Sequence, residues 1–186
     1  MQIEVNKKRF TVDEYYQMAA AGILRPEDRV ELIDGEIVQM SPIGDRHALC
    51  VMIANNLFAR ALGAAALINV QNPLRLNKYT EPQPDIVVLK PRADYYKHKK
   101  IRAEDTLLVV GVSDSSIRYD QKIKVPRYAE AGIPEVWIEN LQVDELLVYR
   151  DLAEHRYSVC KTLRRSDSVS PRAFPDVSFR IDDLLG

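Results

Sequence analysis

Residues 81–89 read Glu81-Pro82-Gln83-Pro84-Asp85-Ile86-Val87-Val88-Leu89 and place an acidic residue at the mouth of an apolar strand. A second apolar run, Thr106-Leu107-Leu108-Val109-Val110-Gly111-Val112-Ser113, follows after a basic loop. Its near-continuous Leu and Val content is typical of a strand that is buried on both faces. These two runs predict the middle of a β-sheet, with Asp85 at the start of one strand and Gly111 near the end of the next.

The flanking sequence predicts helices and further strands around these two runs. Thr11 can cap a helix that Gly22 closes, and Asp45 can cap a second helix that ends near Gly63. A third helix ends at Gly132, and Pro126 either lies in its first turn or kinks a helix that begins near Asp120. Asp34-Gly35 is a favoured two-residue turn between two strands. The strands are predicted at residues 30–33, 36–40, 67–70, 83–89, 106–113, 135–139, 145–150 and 157–161, with residues 174–181 as a closing segment.

This order predicts an α/β (α+β) fold with a mixed central sheet flanked by helices. The chain has 186 residues, 46% of them hydrophobic, which suits a single domain spanning residues 1–186. The formal net charge of -1 provides no global positive field for nucleic acid, so any DNA contact must be local. Cys50 and Cys160 fit neither a disulfide framework nor a zinc site. The sequence shows no signal peptide and no membrane-spanning run, so we expect a cytoplasmic protein without membrane contact.

The candidate site consists of Glu31, Asp85 and Lys124, and each residue alone has an ordinary structural explanation. Glu31 in an apolar strand needs a partner or a metal, and the simpler alternative is an ion pair with Arg29 or Arg46 at a sheet edge. Asp85 can end a turn, and Lys124 can be a solvated helix residue. His47, in the first turn of the second helix, is more often structural than catalytic when taken alone.

Together these residues indicate metal-dependent phosphodiester chemistry. Magnesium prefers carboxylate oxygens, and a bound metal lowers the pKa of its water and neutralises phosphate charge. A nearby lysine can stabilise the charge that develops at phosphorus. The loop that joins the two apolar runs is basic and can hold flanking phosphates, or it can serve only solubility. Its candidate DNA contacts are Lys97, Lys99, Lys100 and Arg102.

The order of these motifs resembles the Uma2-type endonucleases of the PD-(D/E)XK, or restriction-endonuclease-like, superfamily. The resemblance runs from about Arg29 to the C-terminal tail, which leaves residues 1–28 as an N-terminal helical extension. It is carried by Val30-Glu31-Leu32-Ile33-Asp34-Gly35-Glu36-Ile37, Met40-Ser41-Pro42, His47, Gln83-Pro84-Asp85-Ile86, Leu108-Val109-Val110, Val112, Tyr119-Asp120, Lys124, Tyr128-Ala129, Ala131-Gly132-Ile133-Pro134-Glu135 and Trp137.

The resemblance implies a restriction-endonuclease-like core, a Mg²⁺ or Mn²⁺ site and hydrolysis of DNA. Glu31 and Asp85 match acidic positions of the family's site. Asp85 is expected to ligate the metal, and Glu31 to ligate it through a water or to position the attacking water. Lys124 matches a lysine that this family places on a helix, and His47 matches a recurrent histidine. By analogy with restriction-type enzymes, the chain is also expected to form a homodimer.

Gly111 departs from the family pattern, which has a glutamate at this position. The main-chain carbonyl of Val112 can still face a metal, and Gln83 or Asp114 can compensate in part. We therefore expect weaker metal binding and impaired cleavage. The alternative is a catalytically inactive nuclease-fold protein that binds nucleic acid or a protein partner.

Overall fold

The two apolar runs form adjacent antiparallel strands, β4 (Ile86–Leu89) and β5 (Thr106–Ser113), in the computed structural model, which describes residues 7–25 and 27–186. They lie inside a six-stranded sheet of order β3-β4-β5-β6-β7-β8. Only the β5–β6 pair within this sheet is parallel, so the sheet is mixed, as predicted. The other four strands are β3 (Leu67–Val70), β6 (Glu135–Asn140), β7 (Glu145–Ala153) and β8 (Arg156–Arg164).

Both faces of the sheet are covered, which explains the unbroken apolar sequence of β5. Helix α2 (Asp45–Leu62) packs on one face, where Phe58, Trp137 and Phe179 form an aromatic cluster. Tyr128 and Ile138 belong to a second buried cluster on the other face. Fully burying one such large apolar side chain stabilises the fold by about 1.5–3 kcal/mol.

The Asp34-Gly35 turn forms as predicted and joins β1 (Val30–Ile33) to β2 (Glu36–Gln39). Both residues have positive φ, 53° and 80°, as a type I′ turn requires. A Cβ on Gly35 would lie 2.7 Å from Arg9 Cβ, so this position needs glycine. An isolated bridge between Leu32 and Glu81 ties the hairpin to the segment that leads into β4.

The third helix resolves the two alternatives for Pro126. Helix α3 (Ile117–Tyr119), a π-helical turn (Asp120–Lys124) and helix α4 (Val125–Glu130) follow one another without a break. The helix therefore begins before Pro126. The π-helical turn ends two residues before this proline, whose ring would clash with the carbonyl four residues earlier in a regular α-helix. Lys124 is the last residue of that turn.

Several predicted boundaries are wrong by one to three residues, including the ends of β7 and β8, which extend to Ala153 and Arg164. Strand β4 begins at Ile86 rather than Gln83, because Pro82 and Pro84 cannot donate to a strand ladder. Gly44, not Asp45, is the N-cap of α2, and Asp45 occupies the first turn instead. The predicted N-terminal helix is present as α1 (Val12–Ala20), where Thr11 and Glu14 form a capping box.

The C-terminal tail closes the face of the sheet that α2 covers. Strand β9 (Ser168–Val169) pairs with β10 (Phe179–Arg180), and α5 (Ile181–Leu185) follows with its apolar side chains buried. Within the described residues, one segment, 45–65, is long and apolar enough to cross a membrane by length and composition alone. Core helices of soluble proteins pass the same test, and α2 buries one side against the sheet.

Candidate functional site

A cleft of about 510 Å³ opens where β5 ends, between the β1–β2 hairpin, the N-terminus of α2 and the π-helical turn. The predicted site residues converge on it from separate parts of the chain. Its lining includes Glu31, His47, Gln83, Asp85, Gly111, Val112, Asp114, Asp120 and Lys124.

Asp85 is fixed at the mouth of β4 by contacts to both of its carboxylate oxygens. Oδ2 accepts a hydrogen bond of 2.8 Å from the main-chain N–H of Val112. Oδ1 lies 3.1 Å from Nε2 of His47 and 3.4 Å from Nε2 of Gln71. Asp85 is therefore an oriented member of the cleft and not merely the end of a turn.

Glu31 is almost fully buried on β1, and its partner is neither Arg29 nor Arg46. Its Oε1 lies 2.9 Å from Nζ of Lys124, and its Oε2 accepts a 3.1 Å hydrogen bond from the main-chain N–H of Gln83. Arg29 instead donates to the Ser41 carbonyl, and Arg46 binds Asp144 and the Leu141 carbonyl. The simpler pairing that the sequence allowed is thus wrong, and Glu31 faces the cleft.

Lys124 is a buried cation and not a solvated helix residue. Its Nζ lies 2.9 Å from Glu31 Oε1 and 3.8 Å from Asp120 Oδ1. Burial alone lowers the pKa of the Lys124 ammonium, but the Glu31 and Asp120 carboxylates outweigh this effect and hold that pKa above its ordinary value. Lys124 is consequently charged at neutral pH.

His47 reaches the cleft from the first turn of α2. Its hydrogen bond to Asp85 raises the pKa of the imidazole above its ordinary value, against the opposing effect of burial. Among the described residues, its Nδ1 has no hydrogen-bond partner although it is buried. His47 therefore contacts Asp85 directly, through Nε2.

Gly111, the position that departs from the family pattern, lines the same cleft as Asp85. The β4–β5 register, extended by one residue, places Gly111 opposite Asp85, and on the other side it pairs with Ile138. Among the described residues, a Cβ at Gly111 would meet only Ile138 Cδ1, at 3.1 Å, so a side chain at this position requires Ile138 to shift.

The two side chains predicted as auxiliary have different surroundings. The Gln83 side chain donates to the Gln71 carbonyl, 2.5 Å away, and Asp114 lies on the exposed side of the cleft. The main-chain N–H of Val112 holds Asp85, and its carbonyl remains a predicted ligand. No group of three or more His, Cys, Asp or Glu side chains within residues 7–25 and 27–186 is arranged to hold a metal.

The carboxylates that line the cleft nevertheless suit a hydrated divalent ion such as magnesium. Magnesium commonly uses one or two protein carboxylates and keeps several waters. Glu31 and Asp85 both line the cleft, whose lining as a whole has four carboxylates against two cations, Arg29 and Lys124. A hydrated divalent ion would balance this excess of negative charge.

Asp120 is the cleft residue whose role the sequence did not reveal. It is buried, its Oδ2 accepts a 2.7 Å hydrogen bond from Ser116 Oγ, and its Oδ1 faces Lys124. The spacing of Asp120 and Lys124, four residues apart in a helical segment, was the available signal.

Glu139 is a second unforeseen acid, and it lies outside the cleft lining. It is fully buried on β6, and in the described part of the chain neither of its carboxylate oxygens has a hydrogen-bond partner. Burial and, to a smaller extent, the charge of Asp85 raise the pKa of Glu139 well above its ordinary value. Its burial was not predictable from the local sequence, because a glutamate in a strand is usually exposed.

The basic loop does not meet the cleft. Asp85 precedes the start of β4, whereas the loop follows the end of β4 and leads into the start of β5, so it lies at the opposite end of both strands. Lys99 pairs with Glu104 and Asp105 at 3.0 and 2.6 Å, and Lys100 lies over the Tyr16 ring. DNA contact by Lys97, Lys99, Lys100 and Arg102 stays a prediction, and it would have to occur away from Asp85.

Fold and cleft together define a restriction-endonuclease-like α/β protein with an acidic pocket and a buried lysine. Residues 12–182 match the Uma2 family, described as "Putative restriction endonuclease", and the chain belongs to that family. The match begins at the first residue of α1. No curated protein matches the sequence.

A solved structure shares the fold. It is described as a "putative nuclease belonging to DUF820" from Anabaena variabilis. The two chains are 16% identical and superpose with a TM-score of 0.73, and the alignment covers 95% of this chain and 97% of that one. At this identity the likeness establishes the architecture, while the family match supports a nuclease-like function.

Proposed function

We propose that the protein is a divalent-metal-dependent endonuclease that hydrolyses DNA phosphodiester bonds at a weakened metal site. The observation that carries the proposal is the convergence of Glu31, Asp85 and Lys124 on one cleft from three separate segments of the chain. Two of these groups are held by main-chain N–H donors, from Gln83 and Val112, so they are oriented before any ligand arrives.

Each residue has a distinct role in this proposal. Asp85 and Glu31 would hold Mg²⁺ or Mn²⁺, and the ion would supply an activated water and neutralise charge on the phosphate. Lys124 would donate to the phosphate oxygens as negative charge develops there. His47 would keep Asp85 oriented through its 3.1 Å contact.

The charge of the cleft supports a metal requirement. Its four carboxylates exceed its two fixed cations, so the cleft alone would repel a phosphodiester. One divalent ion would cancel that excess and allow the substrate to approach.

The glycine at position 111 determines how tightly the proposed site is expected to bind a metal ion. With two carboxylates in place of three, the ion would be held more weakly, and cleavage would need high metal concentrations. Among the described residues, only the flexible end of the Ile138 side chain lies near a Cβ at this position, so Gly111→Glu would introduce a carboxylate provided that Ile138 shifts.

Cleavage of supercoiled plasmid and of single-stranded DNA, titrated with Mg²⁺ and Mn²⁺, tests the proposal. Wild type, Asp85→Asn and Gly111→Glu are compared, with Gly111→Ala as the control for the added Cβ. We expect weak cleavage by wild type, none by Asp85→Asn, stronger cleavage by Gly111→Glu and no gain in Gly111→Ala. Cleavage by Asp85→Asn equal to wild type would refute the proposed site.

A second candidate function is binding without cleavage. Gly111 favours it, and so does the fact that Glu31 and Asp85 already accept hydrogen bonds or ion pairs at every oxygen. In this case wild type would bind labelled DNA in a fluorescence anisotropy titration but leave it intact, whereas Gly111→Glu would cut it. Absence of DNA binding by wild type would instead favour a protein partner.

We also propose that the active form is a homodimer located in the cytoplasm. Cutting both strands of a duplex is commonly shared between two identical subunits. Sedimentation of a monomer at micromolar concentration, with and without DNA, would refute the dimer.

A further inference from the structure

The Lys124 ammonium has two carboxylate acceptors within the cleft and bonds closely to one of them. Glu31 Oε1 is 2.9 Å from Nζ, whereas Asp120 Oδ1 is 3.8 Å away. We propose that Asp120 is a positioning residue that receives Lys124 when a divalent cation binds Glu31. This inference rests on the proposed metal site and adds a residue and a movement that the proposed function does not require.

Asp120 is held in place independently of Lys124. Its Oδ2 accepts from Ser116 Oγ at 2.7 Å, and Ser116 Oγ lies 3.0 Å from Oγ of the fully buried Ser113. Its main-chain carbonyl accepts from the N–H of Val125, which closes the π-helical turn. These contacts fix Oδ2 and leave Oδ1 free to face the ammonium.

Lys124 is largely enclosed by protein, so its ammonium has few alternative partners when a cation arrives at Glu31. Only 14% of its side chain is exposed, and its Nζ lies 6.0 Å from the Tyr119 ring centroid. A divalent ion at Glu31 would repel the ammonium at short range. A shift of about 1 Å brings Nζ to hydrogen-bond distance from Asp120 Oδ1. Asp120 therefore provides the nearest charged acceptor for the displaced lysine.

Without Asp120, Glu31 would be the only carboxylate of the described residues within 4 Å of Lys124 Nζ. The lysine would then compete more strongly with the metal for Glu31. Metal affinity should therefore depend on Asp120, and that dependence should require the charge of Lys124. If Asp120 were a metal ligand, or acted only through its long-range charge, its effect on metal affinity would persist when Lys124 is replaced by a neutral residue. This difference separates a positioning residue from a simple contributor of negative charge.

The experiment is a double-mutant cycle on Mn²⁺ affinity, measured by electron paramagnetic resonance of free Mn²⁺ and by calorimetry. The variants are Asp120→Asn, Lys124→Gln and their combination, with Asp114→Asn as the charge-matched control. Asp114 lines the same cleft on its exposed side. Circular dichroism confirms folding, and Lys124→Gln is chosen because its amide can still donate to Glu31. Lys124→Arg provides a second, charge-retaining variant in case Lys124→Gln does not fold.

We expect Asp120→Asn to weaken Mn²⁺ binding by roughly five- to tenfold more than Asp114→Asn does, in wild type and in Lys124→Arg. Lys124→Gln should tighten binding, and in that background Asp120→Asn should cost no more than Asp114→Asn. Equal effects of the two aspartates in wild type, or an undiminished Asp120 effect in Lys124→Gln, would overturn the inference.

Absence of Mn²⁺ binding in every variant would overturn the inference together with the metal site. An intact coupling between Asp120 and Lys124 without DNA cleavage would support the inference and refute only the nuclease proposal. Cleavage of DNA without this coupling would refute the inference and support the nuclease proposal.

Discussion

Glu31 and Lys124 form a buried ion pair, with 2.9 Å between Oε1 and Nζ and side-chain exposures of 2% and 14%. A buried pair adds little over an apolar replacement, but removal of one partner leaves an uncompensated charge. Removal of either partner should therefore produce a measurable loss in the free energy of unfolding.

Lys124→Met should therefore destabilise the fold by about 3–5 kcal/mol, since Glu31 would remain buried without its cation. Adding Glu31→Gln should recover most of this loss. Urea denaturation of the two variants measures both effects. A loss below about 1 kcal/mol in Lys124→Met would show that the pair is solvated in solution.

The pKa of His47 should lie above 6.5, because the imidazolium is stabilised by Asp85. Since this pKa is raised on folding, the stabilising contribution is fully present below about pH 6.5 and is lost as the pH rises through the folded-state pKa. Nuclear magnetic resonance titration of the His47 ring measures it. Asp85→Asn should lower the pKa of His47, and an unchanged value in that variant would contradict the contact.

Glu139 should make the protein less stable as the pH rises. Its pKa is raised by burial, so above about pH 4.5 the unfolded chain releases a proton that the folded chain retains. Glu139→Leu should remove this pH dependence and increase stability at neutral pH by about 1–3 kcal/mol. Denaturation of both proteins at pH 4 and pH 8 tests this, and a pH dependence that survives in Glu139→Leu would exclude Glu139 as its source.

Gly111 and Ile138 should be energetically coupled. Alanine in a strand gains about 0.5–1 kcal/mol over glycine, but the new Cβ would lie 3.1 Å from Ile138 Cδ1. Ile138→Val removes that methyl group. Gly111→Ala should thus be more favourable in the Ile138→Val background than in wild type. Strict additivity of the two substitutions in chemical denaturation would show that the cross-strand contact is absent.

Much of the fold followed from local sequence because the local signals agree with the tertiary structure. The continuous apolar run of β5 predicted a strand buried on both faces, and the Asp34-Gly35 turn fixed the register of the hairpin. The effect of the two prolines before β4 was not predicted from the local sequence. They shortened the strand and left Asp85 outside the ladder, where its side chain accepts the Val112 N–H.

The site was predictable only in part. Glu31, Asp85 and Lys124 were identified by their order in the chain, but their partners depend on long-range packing. Lys124 reaches Glu31 through a π-helical turn, which sequence periodicity does not indicate. The buried state of Glu139 depends on α2 and the tail covering β6, so no local pattern indicated it.

Crystals of wild type and Gly111→Glu soaked in Mn²⁺ and measured at the manganese absorption edge test the central claim most directly. The account predicts an anomalous peak beside the Asp85 and Glu31 carboxylates, stronger in Gly111→Glu, with Lys124 displaced toward Asp120. Absence of manganese from the cleft in both proteins, at millimolar concentrations, would contradict the metal-dependent nuclease.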